Sequence, residues 1–184
     1  MAALGGQTLA LETLALFGLA ASIAIGLLFL AGGVDQWRHR ALLPGVIANY
    51  RLLPRRLIMP VARLLPVVEV ATGAALLIGL RPWPALLGIA LLLLFAGAMA
   101  INIARGRGHI DCGCGHGALR HPIGWPLVAR NGALAALLAL RLPVPPVFGA
   151  IDIATALASG VAITLLCLLF QSLAALAASP AHRR

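Results

Sequence analysis

Residues 85–121 read ALLGIALLLLFAGAMAINIARGRGHIDCGCGHGALRH, and the fold follows from the contrast between the two halves of this stretch. The first half, Ala85 to Ala104, is 20 residues without a charge. A helix rises about 1.5 Å per residue, so a run of this length covers roughly 30 Å, the thickness of a bilayer's hydrocarbon core. The second half is polar and rich in glycine. It carries two of the chain's three cysteines, Cys112 and Cys114, with His109, Asp111, His116 and His121 around them. A membrane helix that ends in a compact, chemically active loop is the unit from which the rest is read.

Working outward, four further apolar runs appear. They are expected over Leu9–Gly33, Val61–Leu80, Pro126–Leu140 and Ile151–Ala178, the third of them short. A basic segment ending near Pro60 separates the first two runs. Arg81-Pro82-Trp83-Pro84 reads as a tight turn, and the proline-rich segment after Leu142 as another. Glu12 and the lack of a basic leader argue that the first run is retained as a membrane helix. The expected fold is all-α: an integral membrane bundle of about five transmembrane helices, four in a core plus one. Residues 1–184 form one transmembrane domain in this reading, with the Cys-Gly-Cys loop at 105–121.

Composition agrees. The chain is 61% hydrophobic and 10% charged, against about 25% charged in soluble domains, and its mean hydropathy is +1.01. The formal net charge of +9 comes entirely from arginine, and aromatic residues are 5% of the chain. Arginines beside apolar runs serve as cytoplasmic anchors and lipid-headgroup contacts. With so few aromatics there is no base-stacking surface, so nucleic acid is excluded as a partner. Membrane lipid is the expected one.

The arginines also orient the chain. With five spans, twelve arginines fall on one side and only Arg81 and Arg141 on the other. The positive-inside rule then places the N-terminus outside, and the C-terminus and the cysteine loop at the cytoplasmic face. Trp37, Trp83 and Trp125 lie at expected span ends, where indoles prefer the interface.

Three readings are open for the loop. Cys112 and Cys114, separated by Gly113, can act as a redox pair. Closing a disulfide across one residue strains it, and strained disulfides exchange readily. Arg105, Arg107 and Arg120 would favour the thiolate, the reactive form. The same atoms permit a zinc or copper site made of Cys112, Cys114, His116 and His109 (or His121), although the spacing is not that of zinc fingers. The bland alternative is two incidental thiols in a glycine-rich hairpin. A hairpin or cap over the helix ends is the expected form of the loop. Glu69 lies within an apolar span, where an ionisable group is costly and marks a function or a structural lock. It is expected to face other helices, with Arg63, Asn102, Arg130 and Asn131 as candidate partners. Cys167 reads as a small apolar filler toward the same face as the loop.

Two blocks carry a resemblance. INIARGRGHIDCGCGHGAL with Arg130-Asn131, and ANYRLLPRRLIMPVARLLPVVEVATGAALLIG, resemble the corresponding regions of MauE proteins, the methylamine utilisation membrane proteins, and in outline DoxX-like proteins. His116 stands where the family pattern has phenylalanine. The resemblance implies a bacterial inner-membrane protein that assists disulfide formation during maturation of methylamine dehydrogenase, beside a thioredoxin-like MauD partner and a periplasmic substrate protein. It implies Cys112 and Cys114 as the reacting thiols of a thiol–disulfide oxidoreductase. Asp111, His116, Arg105, Arg107, Glu69, Asn102, Arg130 and Asn131 support them, and no bound cofactor is expected. Envelope disulfide chemistry takes place outside the cytoplasm, whereas the arginines put the loop inside. Either the loop dips into the bundle or the protein carries electrons across the membrane.

Overall fold

The computed structural model describes residues 2–112, 122–142 and 148–177. Its regular elements are α1 (Ala2–Arg38), α2 (Leu43–Tyr50), α3 (Arg55–Leu77), α4 (Trp83–Ala104), α5 (Trp125–Ala139) and α6 (Ala150–Ala177). Proline stands in the first turn of α2, α4 and α5, where its missing N–H costs nothing. Four helices are long and apolar enough to cross a membrane: Leu11–Arg38, Arg55–Leu77, Trp83–Ala104 and Ala150–Leu173. The short run expected over Pro126–Leu140 is α5, 15 residues long, or roughly 22 Å at the helical rise.

Short as it is, α5 joins the two ends of the bundle. At its start Leu127 packs with Met99, Ile110 and Ile123 beneath the cysteine loop. Beyond its end, the carbonyls of Arg141 and Leu142 accept hydrogen bonds from Arg81 Nη2, the latter at 3.1 Å, in the turn before α4. Arg141 is buried there, and burial beside the Arg81 guanidinium lowers its pKa from the ordinary value. The two arginines that the charge count set apart are thus neighbours at one end.

Helix α1 is the hub, packing on α3, α5 and α6. Lipid gives apolar side chains no reason to leave it, so membrane helices associate through close backbone approach and a few polar bonds. Both are present. A Cβ at Gly26 would lie 3.0 Å from the carbonyl oxygen of Gly73, and one at Gly73 would lie 2.7 Å from that of Gly26. Ser22 Oγ donates to Leu76 O at 3.3 Å, and Thr164 Oγ1 to Ala24 O at 3.4 Å. The main core joins Ala21, Ile25 and Phe29 of α1 to Leu76, Leu91, Leu92, Leu134 and Leu138. All three tryptophans point outward, between 53% and 76% exposed, as interfacial anchors do.

Three boundaries differ from the sequence expectation, one being the second span, which starts at Arg55 instead of Val61 and ends at Leu77. The first span continues to Arg38 instead of ending at Gly33, because Asp35 and Gln36 stay on the helix. Within the basic connection, Leu43–Tyr50 coils into α2 with Leu43 buried.

Candidate functional site

The cysteine loop is launched by a glycine. Gly106 adopts φ +72, Gly106 N–H donates to Ile103 O at 2.9 Å, and Arg107 N–H donates to Asn102 O at 2.9 Å. This is the Schellman closure of a helix end, and an L side chain at Gly106 would be strained. The turn throws Arg107 back over α4. Its Nη1 donates to Asn102 Oδ1 at 2.8 Å and to Tyr50 O at 3.4 Å, and its Nη2 to Asn49 O at 2.5 Å. The last carbonyls of α2, which no helical N–H can reach, are satisfied by this one guanidinium.

From there the chain runs into a narrow stem. Ile123 N–H donates to Ile110 O at 3.0 Å, and Asp111 and Pro122 form a single antiparallel bridge. Ile110 and Ile123 are both buried, so the stem is fastened by apolar packing as well. Tyr50 Oη donates to the carbonyl of Cys112 at 3.2 Å. Cys112 itself is half-buried and packs against the cluster of Met99, Ile110, Ile123 and Leu127. Cys114, His116, Arg120 and His121 lie outside the described residues.

Cys112 lines a cavity of about 460 Å³ that runs down between the helices. Its walls are mainly apolar, leucine above all, with polar groups from Asp35, Gln36, Tyr50, Glu69, Arg130, Asn131 and Gln171. Glu69 is 3% exposed and accepts two hydrogen bonds from Gln36 Nε2, at 3.1 and 3.0 Å. Gln36 Oε1 is buried without a partner. Arg130 Nη2 donates to Asn131 Oδ1 at 3.1 Å, while Arg130 Nε and Nη1 are buried and unpartnered.

The residues singled out in the sequence therefore divide. Glu69, Arg130, Asn131 and Cys112 share one cavity. Asn102, fully buried, and Arg107 hold the loop's base. Arg105, His109, Asp111 and Arg63 are exposed. Arg107 spends its guanidinium on Asn102 and the end of α2, which is a structural task. Among the described residues no three His, Cys, Asp or Glu side chains gather as a metal site; Cys114 and His116 of the four-ligand alternative fall outside them. Cys167 packs against the main core, and its neighbour Leu168 lines the same cavity as Cys112.

Two site residues escaped the sequence reading. Gln36 falls past the first apolar run, beside charged residues, yet Ala21, Ile25, Phe29, Gly33 and Gln36 form one buried stripe at helical spacing. Following that period past Gly33 would have found it. Tyr50 carried no signal beyond its place before Arg51, the residue at φ 50 that ends α2.

With this geometry in place, comparison with known proteins is direct. The profile of the family described as methylamine utilisation protein MauE matches residues 14–144. The chain belongs to the MauE family. It is similar to the methylamine utilization protein MauE of Paracoccus denitrificans, 40% identical over 161 residues that cover 85% of this chain and 87% of that protein. It is also similar to its namesake in Methylophilus methylotrophus, 37% identical over 177 residues, 93% and 90% of the two chains. No solved structure matches this chain. The MauE match spans the Glu69–Gln36 contact, the cysteine loop and the Arg130–Asn131 pair alike.

Proposed function

We propose that this MauE-family protein is a membrane thiol–disulfide redox protein that works with a thioredoxin-like partner in methylamine utilisation, assisting disulfide formation in an envelope enzyme such as methylamine dehydrogenase. The observation that carries the reading is Cys112. It is half-buried on a cavity wall, its carbonyl is held by Tyr50, and it is one glycine away in sequence from a second thiol. A thiolate of the reduced partner attacks the Cys112–Cys114 disulfide to form a mixed disulfide and release one thiolate of the pair; the partner's second thiolate then closes the partner's disulfide and releases the other. The Asp111–Pro122 bridge next to Cys112 supports an anchored thiol segment at this position.

Oxidation of the partner leaves Cys112 and Cys114 as thiols. Substituting Ser at Cys112 or Cys114 abolishes disulfide formation in the partner and in the methylamine dehydrogenase small subunit, while the protein remains in the membrane. A double Ser variant that still supports a fully oxidised partner refutes the redox role and leaves a passive scaffold.

The membrane is the bacterial inner membrane, with the N-terminus outside and the C-terminus inside. Twelve arginines against two support this orientation. The contact of Arg81 with the residues that follow α5 supports five crossings. A membrane-impermeant thiol reagent should then modify Cys112 and Cys114 from inverted vesicles. Modification only in intact cells would reverse the orientation.

A further inference from the structure

The cavity makes three demands on whatever fills it. The first comes from its mouth. Four lining residues, Leu52, Leu53, Leu94 and Leu168, are also between 37% and 62% exposed on the outside of the bundle. In a membrane protein such an apolar mouth opens to acyl chains, so an entrant needs an apolar body. A volume of about 460 Å³ lies within the roughly 300–1,000 Å³ typical of small-molecule sites.

The second demand comes from the inner wall. Gln36 is 7% exposed, and its Oε1 is an acceptor without a donor. Arg130 Nε and Nη1 are buried donors without acceptors. Buried polar groups are almost always bonded, and exceptions of this kind call for an occupant. The head of the entrant must therefore offer an acceptor to Arg130, and in one of its states a donor to Gln36. An acyl chain offers neither.

The third demand is chemical and rests on the thiol–disulfide reading above. A dithiol that closes to a disulfide gives up two electrons and two protons, and Cys112 lies on this same wall. The bilayer-soluble carrier that takes up both is a quinone, the oxidant that keeps bacterial envelope thiols oxidised.

We propose that the cavity lined by all six helices, α1 to α6, is a membrane-quinone site. A ring carbonyl accepts from Arg130, the isoprenoid tail leaves past Leu94 and Leu168, and Gln36 receives a hydroxyl once the ring is reduced. The S–H bonds of Cys112 and Cys114 break and one S–S bond forms. Two electrons and two protons pass to the quinone, which leaves as the quinol. Gln36 is also tied to Glu69, so the buried carboxylate orients the amide that receives the hydroxyl.

The test uses the full chain in detergent micelles. The dithiol-reduced protein is titrated with decylubiquinone and quinol formation is followed by ultraviolet absorbance. One quinol per Cys112–Cys114 pair is expected, with saturation. Arg130→Met removes the hydrogen bond to the ring carbonyl and should weaken apparent affinity for decylubiquinone about tenfold, whereas Gln36→Leu removes the bond to the quinol hydroxyl and should weaken binding of decylubiquinol by about the same factor. Arg130→Lys, which keeps the charge but loses the fork, should fall between. Photolabelling of the unsubstituted protein by an azidoquinone, which needs no variant to fold, should mark peptides carrying Gln36 or Arg130. Label confined to lipid-facing residues, affinity indifferent to these substitutions, or a tightly held phospholipid that quinone does not displace each overturns the proposal. Exchange with a thioredoxin-fold protein in quinone-free micelles is measured separately. Its failure overturns the redox role even where the label supports the quinone site, and its success beside absent labelling overturns the quinone site alone.

Discussion

Arg107 and Arg130 each bond an asparagine side chain, at 2.8 and 3.1 Å, Arg107 just past the end of α4 and Arg130 within α5. Arg107 then uses its remaining fork on the carbonyls of Asn49 and Tyr50, so three acceptors are met by one cation. Arg130 bonds its own neighbour and leaves two nitrogens buried without partners. The same pair of residue types thus produces a clasp in one place and an open socket in the other. A clasp repays its desolvation within the fold; a socket waits for a ligand.

The sharpest way to break this distinction is to replace both arginines by the same apolar side chain. Arg107→Met strands the carbonyls at the end of α2 and should cost about 2–3 kcal/mol, seen as a lowered thermal midpoint in micelles. It should also free the loop, with faster labelling of Cys112. Arg130→Met removes a half-buried charge two of whose donors have no partner, and stability should hold or rise by about 1 kcal/mol. Equal losses from the two substitutions would show that both arginines are structural.

Glu69 gives the next largest effect. Gln36 Nε2 donates to both its oxygens, so Glu69→Leu leaves a buried donor bare and should cost about 1–3 kcal/mol. Glu69→Gln keeps an acceptor and should remain within about 1 kcal/mol of the unsubstituted protein. Thermal midpoints separate the two. If both are equally tolerated, the Glu69–Gln36 bond holds nothing and the polar end of the cavity is not a preorganised wall.

The spans were legible because hydrocarbon is an unambiguous solvent: every long charge-free run became a helix, and prolines marked the starts of α4 and α5. The site was legible only where residue type alone is informative. Glu69 stood out because a carboxylate inside an apolar run has few explanations, and Cys112 because cysteine is scarce in this chain. Gln36 did not stand out, since a glutamine beside Asp35 and Trp37 at the end of a run looks like the start of a loop. Its role depends on α1 continuing through Arg38. The sequence sets Arg107 among the charges near the thiols, and the Schellman turn at Gly106 brings its guanidinium onto Asn102 and the end of α2.

The smallest effect sharpens the clasp side of the comparison. Tyr50 contributes twice to the base of the loop: its carbonyl receives Arg107, and its hydroxyl donates to Cys112 O at 3.2 Å. Tyr50→Phe removes only the second bond and leaves the ring, which packs against Met99 and its neighbours. A neutral hydrogen bond at a half-buried site contributes about 0.5–1.5 kcal/mol, so the thermal midpoint should scarcely move. The local consequence is larger than the global one. A thiol reagent reaches a half-buried cysteine through transient opening of the segment that carries it, and the opening equilibrium changes by the full value of the lost bond. At about 1 kcal/mol, Cys112 should be labelled about fivefold faster in the Phe variant. Arg107→Met, which loosens α2 and the loop together, should accelerate it further. A labelling rate unchanged by Tyr50→Phe but raised by Arg107→Met would mean that the guanidinium alone holds the loop.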